Sequence, residues 1–409
     1  MKQAPLQIHQ LENGLEAVIE PLASARSVSM HLLFDFGAKD DPPRKAGLAA
    51  LAVNSAMRGC RGKSLRTILN ALDDYGVDRE ATASVESVSY SANFLPEHLR
   101  PVLRLFGRIL SSSTFPNNQV AVVKALAEES LLDQEDIPDH QVIRHAQRGT
   151  LGLKLGCEPL GRIKTVRQIP VGEVRTFWKQ FCSASNLKIV LAGALNEDDA
   201  LEAIKSTFSD WPAGGSRSSR PQFKPKPYSK HLSKASEQTH LCLSLPAAPV
   251  GHPLYYPGFL ASVVLSGGSS SRLFTEVREK RGLAYTVNAF HRTWRSGALL
   301  NVYAGTSPER LDETLKVCKE ELHRLNTISK SELNRARTTV RGRLLTAGEL
   351  PEIRAAALSG QMLLTGQPRS LAGVIQAVDS VKLDEVREFL KMFPPSPITI
   401  VTLGEKPPG

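Results

Sequence analysis

The chain has 409 residues, of which 41% are hydrophobic and 22% charged, and its formal net charge is +10. This length is too great for one ordinary core and predicts two domains of about 200 residues each. The composition excludes wholesale disorder, and no run approaches the roughly 18 consecutive apolar residues of a membrane-spanning helix.

The start of the chain predicts two strands followed by a buried helix. Residues 15–20 and 27–36 alternate apolar side chains with polar or small ones, as strands do. The Asp-Asp-Pro-Pro sequence at 40–43 then ends the strand and supplies the acids and prolines that favour a helix start. The Ala-rich stretch 46–57 is apolar on most faces, so we expect a helix that packs in the core.

Further helices are predicted at 64–75, 96–111 and 119–135, with a strand at 83–94 between the first two. Strand pairs mixed with runs of helix favour an α+β fold over a doubly wound sheet.

A stretch rich in proline and glycine, residues 211–228, has little apolar periodicity and predicts an interdomain linker. The predicted domains are therefore residues 1–210 and 229–409. Several basic residues lie in or near the linker, among them Arg217 and Lys224. They are interpreted as a solvated segment, because no zinc-finger, helix-turn-helix or aromatic-interleaved basic motif accompanies them, so no nucleic-acid partner is expected.

The two halves resemble each other at a fixed offset. Pro-Glu-His-Leu at 96–99 and Pro-Glu-Arg-Leu at 308–311 lie 212 positions apart. Glu-Val-Arg at 173–175 and at 385–387 show the same offset. Two blocks at one offset, far apart in the chain, predict an internal duplication, and the period is too long for a solenoid.

The five cysteines are scattered and never form a C-x-x-C, which argues against a disulfide framework and against a thiolate metal site. None of the ten histidines pairs with another at a spacing of four. The first ten residues are polar and do not form a signal peptide. The predicted location is therefore the cytoplasm, or the periplasm if the sequence lacks its leader, and no membrane partner is expected.

Two segments carry a resemblance to a known family. N-G-L-E-A-V-I-E-P at 13–21, continued by the sequence 32–60, and S-S-S-R-L-F-T-E-V-R-E-K-R-G-L-A-Y at 269–285 resemble the insulinase/pitrilysin zinc peptidases. The closer likeness is to their two-domain branch, which includes the mitochondrial processing peptidase and the core proteins of the respiratory cytochrome complex. The resemblance covers nearly the whole chain. It implies two duplicated α+β domains, each a mixed sheet packed with helices, that form a clam-like half-chamber.

The catalytic motif of that family is altered here. Active members carry H-x-x-E-H on the helix after the Pro-Pro turn, where two histidines bind zinc and the glutamate activates water. The resemblance places this motif on Ala50, Val53 and Asn54, none of which supplies an imidazole or a carboxylate. The family's third ligand, a glutamate, falls on Glu129, with Glu128 as the neighbouring alternative. We therefore expect no metal and no cofactor in this chain.

A second pair of family residues is intact. Active members have an arginine and a tyrosine seven residues apart that bind the peptide carbonyl and stabilise the oxyanion. The resemblance places them on Arg278 and Tyr285, with Arg281 as a nearby alternative at a spacing of four.

Three hypotheses follow from the resemblance. In the first, this chain is a non-catalytic, pseudo-peptidase subunit that pairs with a homologous zinc-bearing chain, contributing Arg278 and Tyr285 to the binding of a peptide substrate. In the second, it is a catalytically inactive homodimer that binds peptides or has a structural role. In the third, it is an active peptidase whose metal site lies elsewhere in the sequence.

Overall fold

The computed structural model describes residues 6–408, in which groups of strands are separated by runs of helices. The strands are β1 (Ile8–Gln10), β2 (Glu16–Pro21), β3 (Val28–Phe34), β4 (Gly59–Cys60), β5 (Lys63–Ser64), β6 (Asp78–Ala83), β7 (Val88–Phe94), β8 (Leu187–Gly193), β9 (Tyr228–Ser233), β10 (Thr239–Ala247), β11 (Ala284–Trp294), β12 (Gly297–Thr306) and β13 (Thr399–Gly404).

The helices are α1 (Leu48–Ala56), α2 (Leu65–Asp73), α3 (Leu99–Ser111), α4 (Asn117–Glu135), α5 (Pro138–Leu155), α6 (Ile163–Gln168), α7 (Val171–Phe181), α8 (Glu197–Phe208), α9 (Tyr255–Ser266), α10 (Leu311–Arg324), α11 (Lys330–Ala347), α12 (Pro351–Leu364), α13 (Leu371–Ser380) and α14 (Leu383–Met392). Short 3-10 turns precede α3 and α10, and a π-helix spans Phe274–Glu279.

Most of the predicted early elements are confirmed, with one correction. The first two predicted strands correspond to β2 and β3, and the four predicted helices to α1 to α4. The strand predicted at 83–94 is wrong at its start, because residues 84–87 form a hairpin turn closed by a hydrogen bond from the Ser84 amide to the Ser87 carbonyl (2.8 Å). The other arm of this hairpin, β6, begins with Asp-Arg-Glu. Acidic residues are uncommon in strands, so the sequence pattern did not predict β6.

Five strands have the same order in the two sheets, and the first sheet has β1 as an additional edge strand. The first sheet runs β1-β2-β8-β3-β7-β6, and the second runs β9-β13-β10-β12-β11. In each, one neighbouring pair is parallel, β2 with β8 and β9 with β13, while the other pairs are antiparallel. The chain therefore consists of two similar α+β domains, each a mixed sheet with helices, as the duplication predicts.

Packing divides the described chain into two compact units that do not follow chain order. The first unit comprises residues 6–132, 157–220 and 346–370, and the second comprises 133–156, 221–345 and 371–408. The predicted domain boundaries describe the repeated halves of the sequence, whereas these units describe packing. No helix or strand lies between Phe208 and Tyr228 in the described chain.

The six-stranded sheet of the first unit has one face that packs in the larger core and one face that a late helix covers. Alternate residues of β3 and β7 pack with α1, α3 and α7 into the larger core, in which Trp178 contacts the rings of Phe34, Phe36 and Tyr90. On the opposite face α12 packs its apolar side chains against β2 and β8. Because successive side chains of a strand point to opposite faces of the sheet, alternate residues of β3 face the larger core and α12.

The second unit repeats this arrangement with a helix from the early part of the chain. Helix α5 packs Val142 and Ala146 against Cys242, Val401 and Leu403 of its sheet. The other face packs against α9, α10 and α14. No described helix is long and apolar enough to cross a membrane.

Candidate functional site

Helix α1, on which the resemblance places the altered motif, is fixed at its start by a buried carboxylate. Gly47 adopts a left-handed backbone (φ +101°) before the helix. The carboxylate of Asp41 accepts hydrogen bonds from the amides of Gly47 (2.7 Å) and Ala49 (2.9 Å). Burial raises the pKa of Asp41 to about 7, and the backbone donors oppose that rise. The Asp-Asp-Pro-Pro sequence thus supplies the helix cap, as its composition predicts.

The three motif positions offer no site for a metal ion. Ala50 and Val53 are buried, with 2% and 0% of their surface exposed. The Asn54 amide nitrogen donates to the Ala50 carbonyl (2.8 Å), and the Tyr90 hydroxyl donates to the Val53 carbonyl (2.8 Å). Zinc needs imidazole, thiolate or carboxylate ligands and, for catalysis, an open coordination position. The residues on this helix do not fit zinc.

Glu129 and Glu128, on which the resemblance places the third ligand position, lie on α4. Glu129 is exposed, and Glu128 accepts a hydrogen bond from Arg167 Nε at 2.8 Å. Within residues 6–408, no three or more histidine, cysteine, aspartate or glutamate side chains are grouped so that they could hold a metal ion. Glu128 is therefore engaged in a surface ion pair, and Glu129 is a solvated helix acid.

Arg278 and Tyr285, in contrast, are brought together. Arg278 lies in the π-helix, and Tyr285 lies in the first residues of β11. The guanidinium carbon of Arg278 is 4.5 Å from the centre of the Tyr285 ring and 4.9 Å from that of Phe274. Distances under about 6 Å are those of cation–π contacts. The π-helix and the following turn thus bring an arginine and a tyrosine seven residues apart into direct contact.

The donors of this pair remain available. Tyr285 is 77% exposed, and no hydrogen bond or ion pair within the described residues engages its hydroxyl or the Arg278 guanidinium. The contact places a guanidinium and a phenol next to each other, and such N–H and O–H donors suit the binding of a carbonyl oxygen that gains negative charge.

The alternative arginine has a different partner. Arg281 Nη1 donates to the Glu276 carboxylate at 2.6 Å, and Lys280 donates to the same carboxylate at 2.7 Å. These hydrogen bonds lower the pKa of Glu276 to about 2. Because Glu276 holds Lys280 and Arg281, the structure favours Arg278 as the partner of Tyr285.

Phe274 also belongs to this cluster, although no sequence motif pointed to it. The Phe274 ring contacts the Arg278 guanidinium, and Phe274 lies four residues before Arg278 in the same helical segment. A spacing of four in a helical segment places two side chains on one face. The spacing of four between Phe274 and Arg278 was therefore the sequence feature that could have identified Phe274.

Comparisons with known proteins match both halves of the chain. Residues 17–158 match the sequence profile of Insulinase (Peptidase family M16), and residues 168–340 match that of the Peptidase M16 inactive domain. An uncharacterized zinc protease of Bacillus subtilis is 27% identical over 380 residues, which is 92% of each chain. Another, from Rickettsia bellii, is 23% identical over 403 residues, which is 97% of each chain.

Solved structures show the same fold. A crystal structure described as a peptidase M16 inactive domain from Pseudomonas fluorescens superimposes with a TM-score of 0.89 at 21% identity and covers 98% of both chains. A protease from Helicobacter pylori gives 0.86 at 16% identity, over 98% of this chain and 99% of that one. A chain from Complex III2 of Candida albicans gives 0.82 at 17% identity, over 98% and 96%.

Proposed function

Because the chain belongs to the insulinase (peptidase M16) family, we propose that it is a non-catalytic subunit of a zinc metallopeptidase. In this proposal, a homologous chain with an intact H-x-x-E-H motif supplies the zinc ion and the general base. This chain supplies Arg278 and Tyr285, which bind the peptide carbonyl and stabilise the negative charge that develops on its oxygen.

The observation that carries the proposal is the contrast between the two sets of family positions. Ala50, Val53 and Asn54 have no group that fits zinc, and Asn54 is hydrogen-bonded back to its own helix. Arg278 and Tyr285, in contrast, have the residue types that the resemblance implies, and their side chains lie in contact. A chain that has lost the metal ligands yet keeps the oxyanion donors is suited to act with a partner.

The test combines co-purification with an activity assay. The chain is expressed with a homologue that bears H-x-x-E-H, and cleavage of a quenched fluorescent peptide is measured for the complex and for each chain alone. The expected result is activity only in the complex. Removing one oxyanion donor costs about 10²–10³ in kcat in well-studied hydrolases, so Arg278→Ala is expected to cause a loss of that order.

Arg281→Ala is the matched control, because it removes an arginine three residues away that is bound to Glu276 rather than to Tyr285. Tyr285→Phe removes only the phenol donor and is expected to lower kcat with little change in stability. Full activity of the homologue alone, or equal effects of the two arginine substitutions, would refute the proposal.

Metal analysis of the purified chain distinguishes this function from that of an active peptidase. The altered motif predicts far less than one zinc ion per chain. Stoichiometric zinc with chelator-sensitive proteolysis by the chain alone would show that the metal site lies elsewhere.

A second candidate function is an inactive homodimer that binds peptides or has a structural role. The observation that favours it is the likeness in fold to a chain of Complex III2, a respiratory assembly. Native mass spectrometry separates the two candidates. A stable homodimer that does not exchange with the zinc-bearing homologue would favour the second.

A further inference from the structure

One face of the first unit's sheet lies under α12, and this face has an apolar half and a polar half. On β2 and β8, Val18, Val190 and Ala192 pack against α12. On β3, β7 and β6 the same rows of the sheet continue with polar residues. One row contains Ser29, Asn93 and Asp78, and the next contains His31, Ser91 and Glu80.

This polar half is not filled by α12. A cavity of about 450 Å³ lies between these strands and the first turn of α12, where Glu352 forms part of its wall. Ligand pockets in proteins typically measure about 300–1,000 Å³, so the volume suits a small organic molecule. All the residues that line the cavity belong to the first unit.

The charge of the cavity is opposite to that of the whole chain. Its lining contains three carboxylates, Asp78, Glu80 and Glu352, and one arginine, Arg79. Within the described residues, none of the three carboxylates lies in a salt bridge with a lysine or arginine, although the chain carries a net charge of +10. Among residues 6–408, the hydrogen bonds to the carboxylates of Glu80 and Glu352 come from neutral groups, Thr82 Oγ1 at 3.2 Å and Asn93 Nδ2 at 3.4 Å.

The floor of the cavity has an unused hydrogen-bonding group. Ser29 is fully buried, and its hydroxyl has no hydrogen-bond partner in the structure. A buried polar group without a partner destabilises the folded state, and such groups are uncommon in native proteins. Burial also lowers the pKa of the neighbouring His31, although Glu80 opposes this effect. At neutral pH His31 is therefore uncharged, does not neutralise the carboxylates, and has a lone pair to offer a donor.

We propose that this cavity binds an organic cation that carries a guanidinium or a primary ammonium group. Asp78, Glu80 and Glu352 act as its counter-ions at the rim, and the Ser29 hydroxyl accepts one of its hydrogen bonds at the floor. Such a ligand has several N–H donors and no acceptor, which matches a lining dominated by carboxylate and hydroxyl oxygens. The site is separate from Arg278 and Tyr285 and does not depend on the proposed peptidase role.

The cation is expected to be organic rather than a metal ion. The carboxylates and His31 are not grouped so that three of them could hold one metal ion. Divalent metal ions need their oxygen ligands at about 2.0–2.6 Å from a common centre. A longer cation with its charge spread over several N–H groups reaches separated carboxylates instead.

The test is isothermal titration calorimetry of the full chain with agmatine, which carries both a guanidinium and an ammonium group. N-acetylargininamide is titrated in parallel, because it represents the side chain of a peptide rather than a free amine. Saturable one-site binding of either probe at millimolar concentration or below is expected. Agmatine alone would indicate a free small molecule, and binding of both would indicate that the guanidinium is sufficient.

Variants connect binding to the cavity. Glu80→Gln is expected to weaken the binding of agmatine about fivefold, and combining it with Asp78→Asn should weaken it at least about tenfold. Ser29→Ala should weaken binding about threefold to tenfold without lowering the melting temperature, since it removes a hydroxyl that has no partner in the free protein. Glu388→Gln, the same substitution at an exposed glutamate of α14, is the control and should leave binding unchanged.

Two results would overturn the proposal. One is the absence of saturable binding of both probes to the wild-type chain. The other is binding that Glu80→Gln and Ser29→Ala leave unchanged, or that Mg²⁺ abolishes at an equal concentration, because the carboxylates would then not select an organic cation.

Discussion

The buried ion pair between Glu20 and Arg354 fixes α12 on the first sheet and provides a test of how the first unit is assembled. Arg354 Nε and Nη2 donate to the two carboxylate oxygens of Glu20 at 2.8 and 2.7 Å. The two residues are only 2% and 4% exposed. Replacing Arg354 with methionine keeps most of the side-chain volume but leaves the Glu20 carboxylate buried without its partner.

The expected cost follows from this burial. Removing one partner of a buried, bidentate ion pair destabilises proteins by about 3–5 kcal/mol, because the remaining charge has lost both water and its counter-ion. Replacing both partners, as in Glu20→Leu with Arg354→Met, removes the unpaired charge. Since the surrounding side chains Val18, Ala355 and Leu358 are apolar, the double variant should recover most of the loss.

Hydrogen exchange measured by mass spectrometry is the suitable assay, because a chain of two compact units need not unfold in a single step. Arg354→Met should reduce the protection of the α12 amides by two orders of magnitude or more, as expected for about 3 kcal/mol. Arg335→Met, at an exposed arginine of α11, serves as the control and should change stability by less than about 0.5 kcal/mol. The reasoning is refuted if Arg354→Met behaves like this control, or if the double variant is no more stable than the single one.

Three further predictions concern stability. Burial lowers the pKa of His291, whose ring contacts Tyr255 and Phe259, to about 4 from 6.5; the folded state then resists protonation, so stability should be full above pH 6.5 and fall by about 3 kcal/mol as the pH drops to 4. His291→Phe should remove this part of the pH dependence in urea titrations, and an unchanged slope would contradict the assignment. Asp41→Ala should cost about 1–2 kcal/mol in urea unfolding through loss of the α1 cap, and a change below 0.5 kcal/mol would show that water replaces it. Tyr90→Phe should cost about 1 kcal/mol in the same experiment, because the Val53 carbonyl loses its buried donor, and equal stability would be the contrary outcome.

Local sequence patterns determined much of the fold. The alternation in residues 27–36 and the apolar stretch 46–57 define β3 and α1, because these elements depend on side-chain periodicity within a short segment. The same Pro-Glu block at 96–99 and 308–311 begins a 3-10 turn and a helix in both halves. The sequence also shows that Ala50, Val53 and Asn54 offer no imidazole, thiolate or carboxylate at the positions where the resemblance places the zinc motif, since ligand chemistry belongs to the side chain.

Long-range pairing was decided only by the tertiary structure. Helices α5 and α12 occupy corresponding places in the two halves, yet each packs in the compact unit formed mainly by the other half, which no local pattern encodes. The pair Glu20 and Arg354 is 334 residues apart, and neither residue differs locally from an ordinary surface charge. Arg278 and Arg281 are likewise the same residue type, three positions apart. Only the structure shows that Arg281 binds Glu276 whereas Arg278 contacts Tyr285. Sequence specifies which groups are present, whereas burial and the distance between groups decide which of them interact.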